Sequence, residues 1–176
     1  MKKSTLFFLV LYFTTLWAET TLNPAQVLKL TFPASDQIVL EEKTLSTAQQ
    51  LEIEKKLDEK IKKNWKFYVV KSHGKIEGYG LVDHEIGKTE PITFLTVIRL
   101  TGEVKAVEIL AYRESFGAEV REERFLRQYQ GKNPSSSLRV GRDIASISGA
   151  TLSARAVTRG VKRAVMVWSA LYGHSS

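Results

Sequence analysis

Cysteine is absent from this 176-residue chain, which removes disulfide scaffolds, thiolate metal sites, iron–sulfur clusters and thiol redox chemistry together. Any redox work must rest on a bound organic cofactor. Histidine is scarce: His73, His84 and His174 show no ligand spacing such as i, i+4, so metal or haem ligation has little support. There is no dense Lys/Arg tract and no nucleic-acid motif, so the net charge of +7 does not imply a nucleic-acid partner. Nor is there a Ser-His-Asp grouping, a Walker lysine motif or a metal-ligand cluster, which leaves hydrolase and nucleotidase chemistry unsupported.

What is present folds. Hydrophobic residues make up 43% and charged residues 26%, which excludes a disordered chain and a multi-span membrane protein, and the length suits one domain with a proper core. The first eighteen residues stand apart. Met1-Lys2-Lys3 is a short basic start, and Leu6 to Leu16 is an apolar run too short for an ordinary spanning helix. Residues 1–18 therefore read as a signal peptide with cleavage after Ala18, or as a retained N-terminal anchor. Either places the protein in the periplasm or otherwise outside the cytoplasm, on the inner membrane if anchored. Cleavage would remove two lysines and no acids, leaving +5.

Asn23-Pro24 predicts a helix start, with the helix running to about Leu30. Ser35 to Lys43 is a linker or a short strand around Ile38-Val39-Leu40. Ser46 and Gln49 form a capping box, and Ile53, Leu57 and Ile61 in one row predict a helix to about Lys63, with Glu52–Lys56, Asp58–Lys62 and Glu59–Lys63 as pairs four apart. Residues 19–64 are thus expected to be an N-terminal helical region. Trp65 to Val70 and Ile76 to Asp83 predict a hairpin over Ser72-His73-Gly74-Lys75. Gly78 and Gly80 within it call for a bulge or a close approach by backbone or ligand. Residues 83–91 read as a loop, Ile92 to Leu100 and Val104 to Ala111 as a second strand pair, and Glu119 to Gln130 as a helix.

The stretch Ser148-Gly149-Ala150-Thr151, followed by Leu152 and Ser153, sets a hydroxyl among very small side chains. From Leu152 onward Ala154, Val157, Val161, Ala164, Val165, Trp168 and Tyr172 share one helical face, with Arg155, Arg159 and Lys162 opposite. Thr151 thus lies at a helix start, where unpaired N–H groups favour an anion such as phosphate. An ordinary Ser/Thr cap satisfies the same pattern.

Ser-Gly-Ala-Thr before Leu-Ser and a helix resembles the flavinylation motif of the FMN-binding domain family. That family includes periplasmic FMN-carrying subunits of Rnf-type complexes and of sodium-translocating NADH:quinone oxidoreductases. The likeness extends over roughly residues 60–170. Glu114, Ser115 and Gly117 match a His-x-Glu-Thr-Pro-Gly loop, with Tyr112 in the histidine's place and Phe116 in the proline's, and Gln128-Tyr129-Gln130-Gly131-Lys132 matches the helix end that follows. Ala145 stands where many relatives have an aspartate, with Asp143 the nearest upstream acid.

The resemblance implies an α+β fold, a twisted antiparallel sheet with packed helices, and an FMN-binding domain over 65–176. It implies FMN joined by a phosphoester to Thr151 and installed by a flavin transferase that uses FAD. Ser148, Gly149, Ala150, Leu152 and Ser153 would surround the attachment point, and Glu114, Ser115 and Gly117 would border the flavin ring. Arg139, Arg142 and Arg155 are nearby cations able to offset phosphoester charge. The function implied is electron transfer outside the cytoplasm with membrane redox partners, with no residue acting as a catalyst in its own right. The alternatives are a module that holds FMN or another phosphorylated ligand without a covalent bond, and a domain with the fold but no cofactor.

Overall fold

The computed structural model describes residues 22–173, so the segment expected to be a signal peptide or anchor lies outside the described residues. The elements are α1 (Pro24–Thr31), β1 (Gln37–Thr44), α2 (Thr47–Leu57), β2 (Asn64–Ser72), β3 (Lys75–Ile86), β4 (Pro91–Arg99), β5 (Val104–Tyr112), a short α3 (Glu123–Leu126) between two 3-10 turns, and α4 (Thr151–Tyr172). The strands form one antiparallel meander in the order β1-β2-β3-β4-β5, and helices pack on both faces. The fold is the expected α+β class.

Helix starts follow their caps. The Asn23 side chain accepts the Ala25 N–H with Pro24 at the first helical position, and Ser46 and Gln49 make both bonds of the capping box. Helix α2 is shorter than its apolar row suggests. Asp58 takes a left-handed conformation and donates its N–H to the Glu54 carbonyl, ending the helix before Ile61 is buried by the returning chain. The expected Asp58–Lys62 and Glu59–Lys63 helix pairs therefore do not exist, and Glu59 instead meets Arg163 at 3.0 Å.

The segment around Ile38-Val39-Leu40 is a full strand that pairs with β2 from Gln37↔Lys71 to Thr44↔Asn64, so the region expected to be helical also supplies a sheet edge. Strand β3 continues through Asp83-His84-Glu85-Ile86, leaving only 87–90 as the turn where a longer loop was expected. The expected helix from Glu119 to Gln130 is broken at Glu122, whose extended ψ of 135° separates a 3-10 turn from α3. Charged residues dominate that stretch, and burial of Val120, Phe125, Leu126 and Tyr129 directs its path in place of a regular stripe.

Both reasons for glycine in β3 apply. Pairing with β2 shifts register beside Gly78, and α1 lies so close that a Cβ on Gly78 would enter the Phe32 ring and one on Gly80 would meet Leu28 methyls at 3.0 Å. On the other face α4 approaches as closely, with Gly160 against Phe94. Helix α4 runs back along β3: Arg159 meets Glu85, Arg163 meets Asp83, and Trp168 meets Tyr79. Its first turn is thereby set at the end of the sheet where β3 stops, β4 begins and β5 ends.

Candidate functional site

Three chain segments distant in sequence meet at that end of the sheet. The first is the start of α4. Thr151 is its first helical residue, and the cap position falls to Ala150, with φ −119° and no side-chain hydrogen bond to the helix. The expectation that a Ser or Thr caps this helix is therefore not met: Ala150 has no oxygen to offer, and its carbonyl accepts the Ala154 N–H at 2.9 Å. Thr151 is half-buried and Ser148 exposed. Gly149 has φ +81°, which favours glycine, and a Cβ there would face open space. Leu152 is half in solvent, while Ser153 is buried.

The second segment is the loop at 113–117. Gly117, at φ +83°, packs where a Cβ would lie 3.0 Å from Ser153 Oγ, 3.0 Å from the Tyr112 hydroxyl and 3.3 Å from Ala150 Cα. The predicted loop and the predicted helix start are thus in direct contact. Tyr112 joins them: its hydroxyl donates to the Phe116 carbonyl at 2.6 Å and lies 3.2 Å from Ser153 Oγ. Burial raises the Tyr112 pKa, against the lowering effect of the Ser153 hydrogen bond, so this phenol stays protonated. Tyr112 was not among the expected site residues. Its place in the family's histidine position was the available signal.

The third segment is the turn at 87–90, held by Glu114. That carboxylate accepts N–H bonds from Lys88, from Thr89 at 2.7 Å and from Glu90 at 3.1 Å, and the Thr89 hydroxyl at 3.0 Å. Desolvation would raise its pKa, but these donors outweigh it and hold the carboxyl below the usual range. Glu114 thus staples two loops, and its oxygens face the 87–90 turn. Ser115 is exposed beside it.

The stretch Gln128 to Lys132 braces the approach to the helix. The Gln128 side chain accepts the Ala145 N–H at 2.7 Å, and the buried Tyr129 hydroxyl bonds Thr158 on α4 at 2.8 Å. Gly131 and Lys132 pair with Val104 at the start of β5. Glu122, Arg124, Phe125, Gln128, Ala145, Ser146 and Ile147 line a cleft of about 370 Å³ just upstream of Ser148. Asp143, the acid nearest to the Ala145 position, is engaged elsewhere. It accepts from Ser137 Oγ at 2.8 Å, Leu138 N–H at 2.9 Å and Arg139 N–H at 2.7 Å, and these bonds outweigh desolvation to hold its pKa at about 2. Arg139, Arg142 and Arg155 are all exposed. Among the described residues no cluster of His, Asp or Glu could hold a metal ion.

Comparison with known proteins covers the same stretch of chain. Residues 87–166 match the sequence model of the FMN-binding domain family, a span that includes all three segments. No curated protein matches the chain. Among solved structures, one of the subunits of the Na(+)-translocating NADH-quinone reductase from Parabacteroides distasonis has a similar fold, with a TM-score of 0.54 at 14% identity over 88% of this chain and 86% of that one. Residues 87–166, from the turn that Glu114 staples to the helix that Thr151 begins, are thus the part of the chain that is similar to FMN-binding domains.

Proposed function

We propose that the protein is an extracytoplasmic flavoprotein that carries FMN through a phosphoester on Thr151 and passes electrons within a membrane-associated redox chain. The observation that carries this reading is the α4 start, where alanine holds the cap and no side chain fills the place of an acceptor. A phosphate oxygen would take up first-turn N–H groups that a Ser, Thr or Asp cap would otherwise occupy. The Thr151 hydroxyl would attack the FMN-side phosphorus of FAD on a flavin transferase, losing its proton as the pyrophosphate bond breaks and AMP leaves. When bound, FMN supplies the electron transfer.

The chain's own contribution is position. Gly149 leaves open space beside Thr151, and Gly117 and Tyr112 fix the loop against the same turn. Exposed Arg139, Arg142 and Arg155 supply positive charge. A covalent tether also keeps a cofactor at high effective concentration where a lost one is not readily replaced.

A second reading, FMN or another phosphorylated ligand held without a covalent bond, is favoured by one detail. Ala145 lacks the acid found in many relatives, and Asp143 has its oxygens committed to its own loop. Denaturing electrophoresis of protein made with a flavin transferase separates the two. Thr151 modification gives in-gel flavin fluorescence that Thr151→Ala abolishes, whereas colour lost on denaturation supports the second reading. Export is tested separately. Protease added to outer-membrane-permeabilised cells should digest the folded part, and protection until full lysis would exclude the extracytoplasmic placement.

A further inference from the structure

Among the described residues, aromatic rings are kept at least partly out of water, with one exception. Every other described Phe, Tyr and Trp is buried or half-buried, but Phe116 is 74% exposed. It lies beside the start of α4. Its carbonyl is held by the Tyr112 hydroxyl, which also reaches Ser153 Oγ, and its neighbour Gly117 packs on Ala150, the residue before Thr151. The backbone of Phe116 is therefore fixed while its ring projects, with Lys88 Nζ 5.8 Å from the ring centroid. Leu152, 50% exposed, adds a second apolar side chain immediately after Thr151. Two large apolar groups exposed near an attachment residue suit a planar aromatic ligand that would cover them.

We propose that Phe116 is a ring-contact residue, giving its aromatic face to the isoalloxazine of FMN carried at Thr151. This rests on the proposed function above and adds to it the residue that seats the ring. The Tyr112–Phe116 hydrogen bond then acts on the backbone, positioning the phenyl without touching the flavin.

The test uses the full chain, flavinylated by co-expression with a flavin transferase, as wild type, Phe116→Trp, Phe116→Ala and the control Leu100→Trp. Leu100 is equally a surface residue, at the opposite end of the sheet. An indole in van der Waals contact with an excited flavin donates an electron to it and quenches its emission, after which the electron returns. Phe116→Trp should therefore show several-fold weaker flavin emission per unit absorbance, recovering on unfolding in urea, while Leu100→Trp stays as bright as wild type. Phe116→Ala, at an exposed position where folding is not at stake, should keep its flavin and be quenched more readily by iodide. Phe116→Trp as bright as wild type, or Phe116→Ala with unchanged iodide quenching, overturns the proposal even if wild type is flavinylated. Wild-type protein without flavin refutes the underlying function and this inference with it.

Discussion

Removing the buried cation of α4 should unfold this protein more readily than any surface change. Arg163 is 9% exposed and reaches Asp83 at 2.6 and 2.9 Å, Glu59 at 3.0 Å and Glu85. Burial works against its charge, but Asp83 and Glu85 hold its pKa above the usual arginine range. In Arg163→Met the apolar stem is kept and the charge is lost. Glu59 and Glu85 then keep Arg159, which is half-exposed, and the buried Asp83 loses the cation it was paired with. Breaking a buried pair in this way costs about 3–5 kcal/mol. For a domain of this size that corresponds to a fall in Tm of roughly 6–20 °C.

Urea denaturation at pH 7.5 and pH 5.5 measures both the size and the cause. The folded variant holds carboxylates without a counter-charge, so it binds protons more readily than its unfolded chain does. Its deficit against wild type must therefore narrow as the pH falls. Arg159→Met, which leaves Arg163 in place, should cost about 1 kcal/mol or less because that side chain is screened by solvent. A loss below about 1 kcal/mol for Arg163→Met at pH 7.5, or a deficit that widens on acidification, would refute the reasoning.

Two further changes test the scaffold. Gly160→Ala places a Cβ inside the Phe94 ring, whose Cε2 would lie at 2.9 Å, so it should cost about 1–3 kcal/mol in urea denaturation, with Phe94→Leu in the same chain restoring part of the loss. Asp143→Asn removes a carboxylate whose folded pKa of about 2 lies below the ordinary 3.8. The stability it contributes is present above pH 3.8 and lost as the pH falls through 2, so the variant should be weaker by at most about 1 kcal/mol at pH 7, after allowance for solvent screening, and the gap should close in acid.

Local chemistry made most of the fold legible. Asn23-Pro24, the Ser46–Gln49 box, the His73-Gly74 turn and the apolar face of α4 each specify their element within a few residues, and each is present as read. The misreadings have one cause, which is that partners distant in sequence decided the outcome. Glu59 has a lysine four residues on, yet it serves an arginine more than a hundred residues away. His84 and Glu85 look like loop residues because they are polar, but β3 runs on through them, and Glu85 is neutralised there by Arg159 and Arg163. At the candidate site, Thr151, Gly117 and their neighbours were singled out by resemblance, and the fold brings them into contact. That Glu114 grips 87–90 and that Tyr112 bridges the two motifs required the hairpin geometry that returns β5 to the start of α4.

The start of α4 breaks a local rule. Alanine is a poor cap, and replacing a Ser, Thr, Asp or Asn cap by alanine costs about 0.5–2 kcal/mol. Residues able to cap are close at hand, with Ser148 upstream and Thr151 just inside, yet the backbone places Ala150 between them at the cap position. Around that opening everything is tied down: Ser153 to Tyr112, Gly117 onto Ala150, Gln128 to Ala145, and Asp143 within its own loop. A helix start without a side-chain acceptor, in a neighbourhood held by these bonds, is what the proposed phosphate ligand would require. On the proposed function, an oxygen at the cap would compete with phosphate for the same N–H groups, whereas alanine would leave them to the cofactor, and the fold would then be stabilised by binding it.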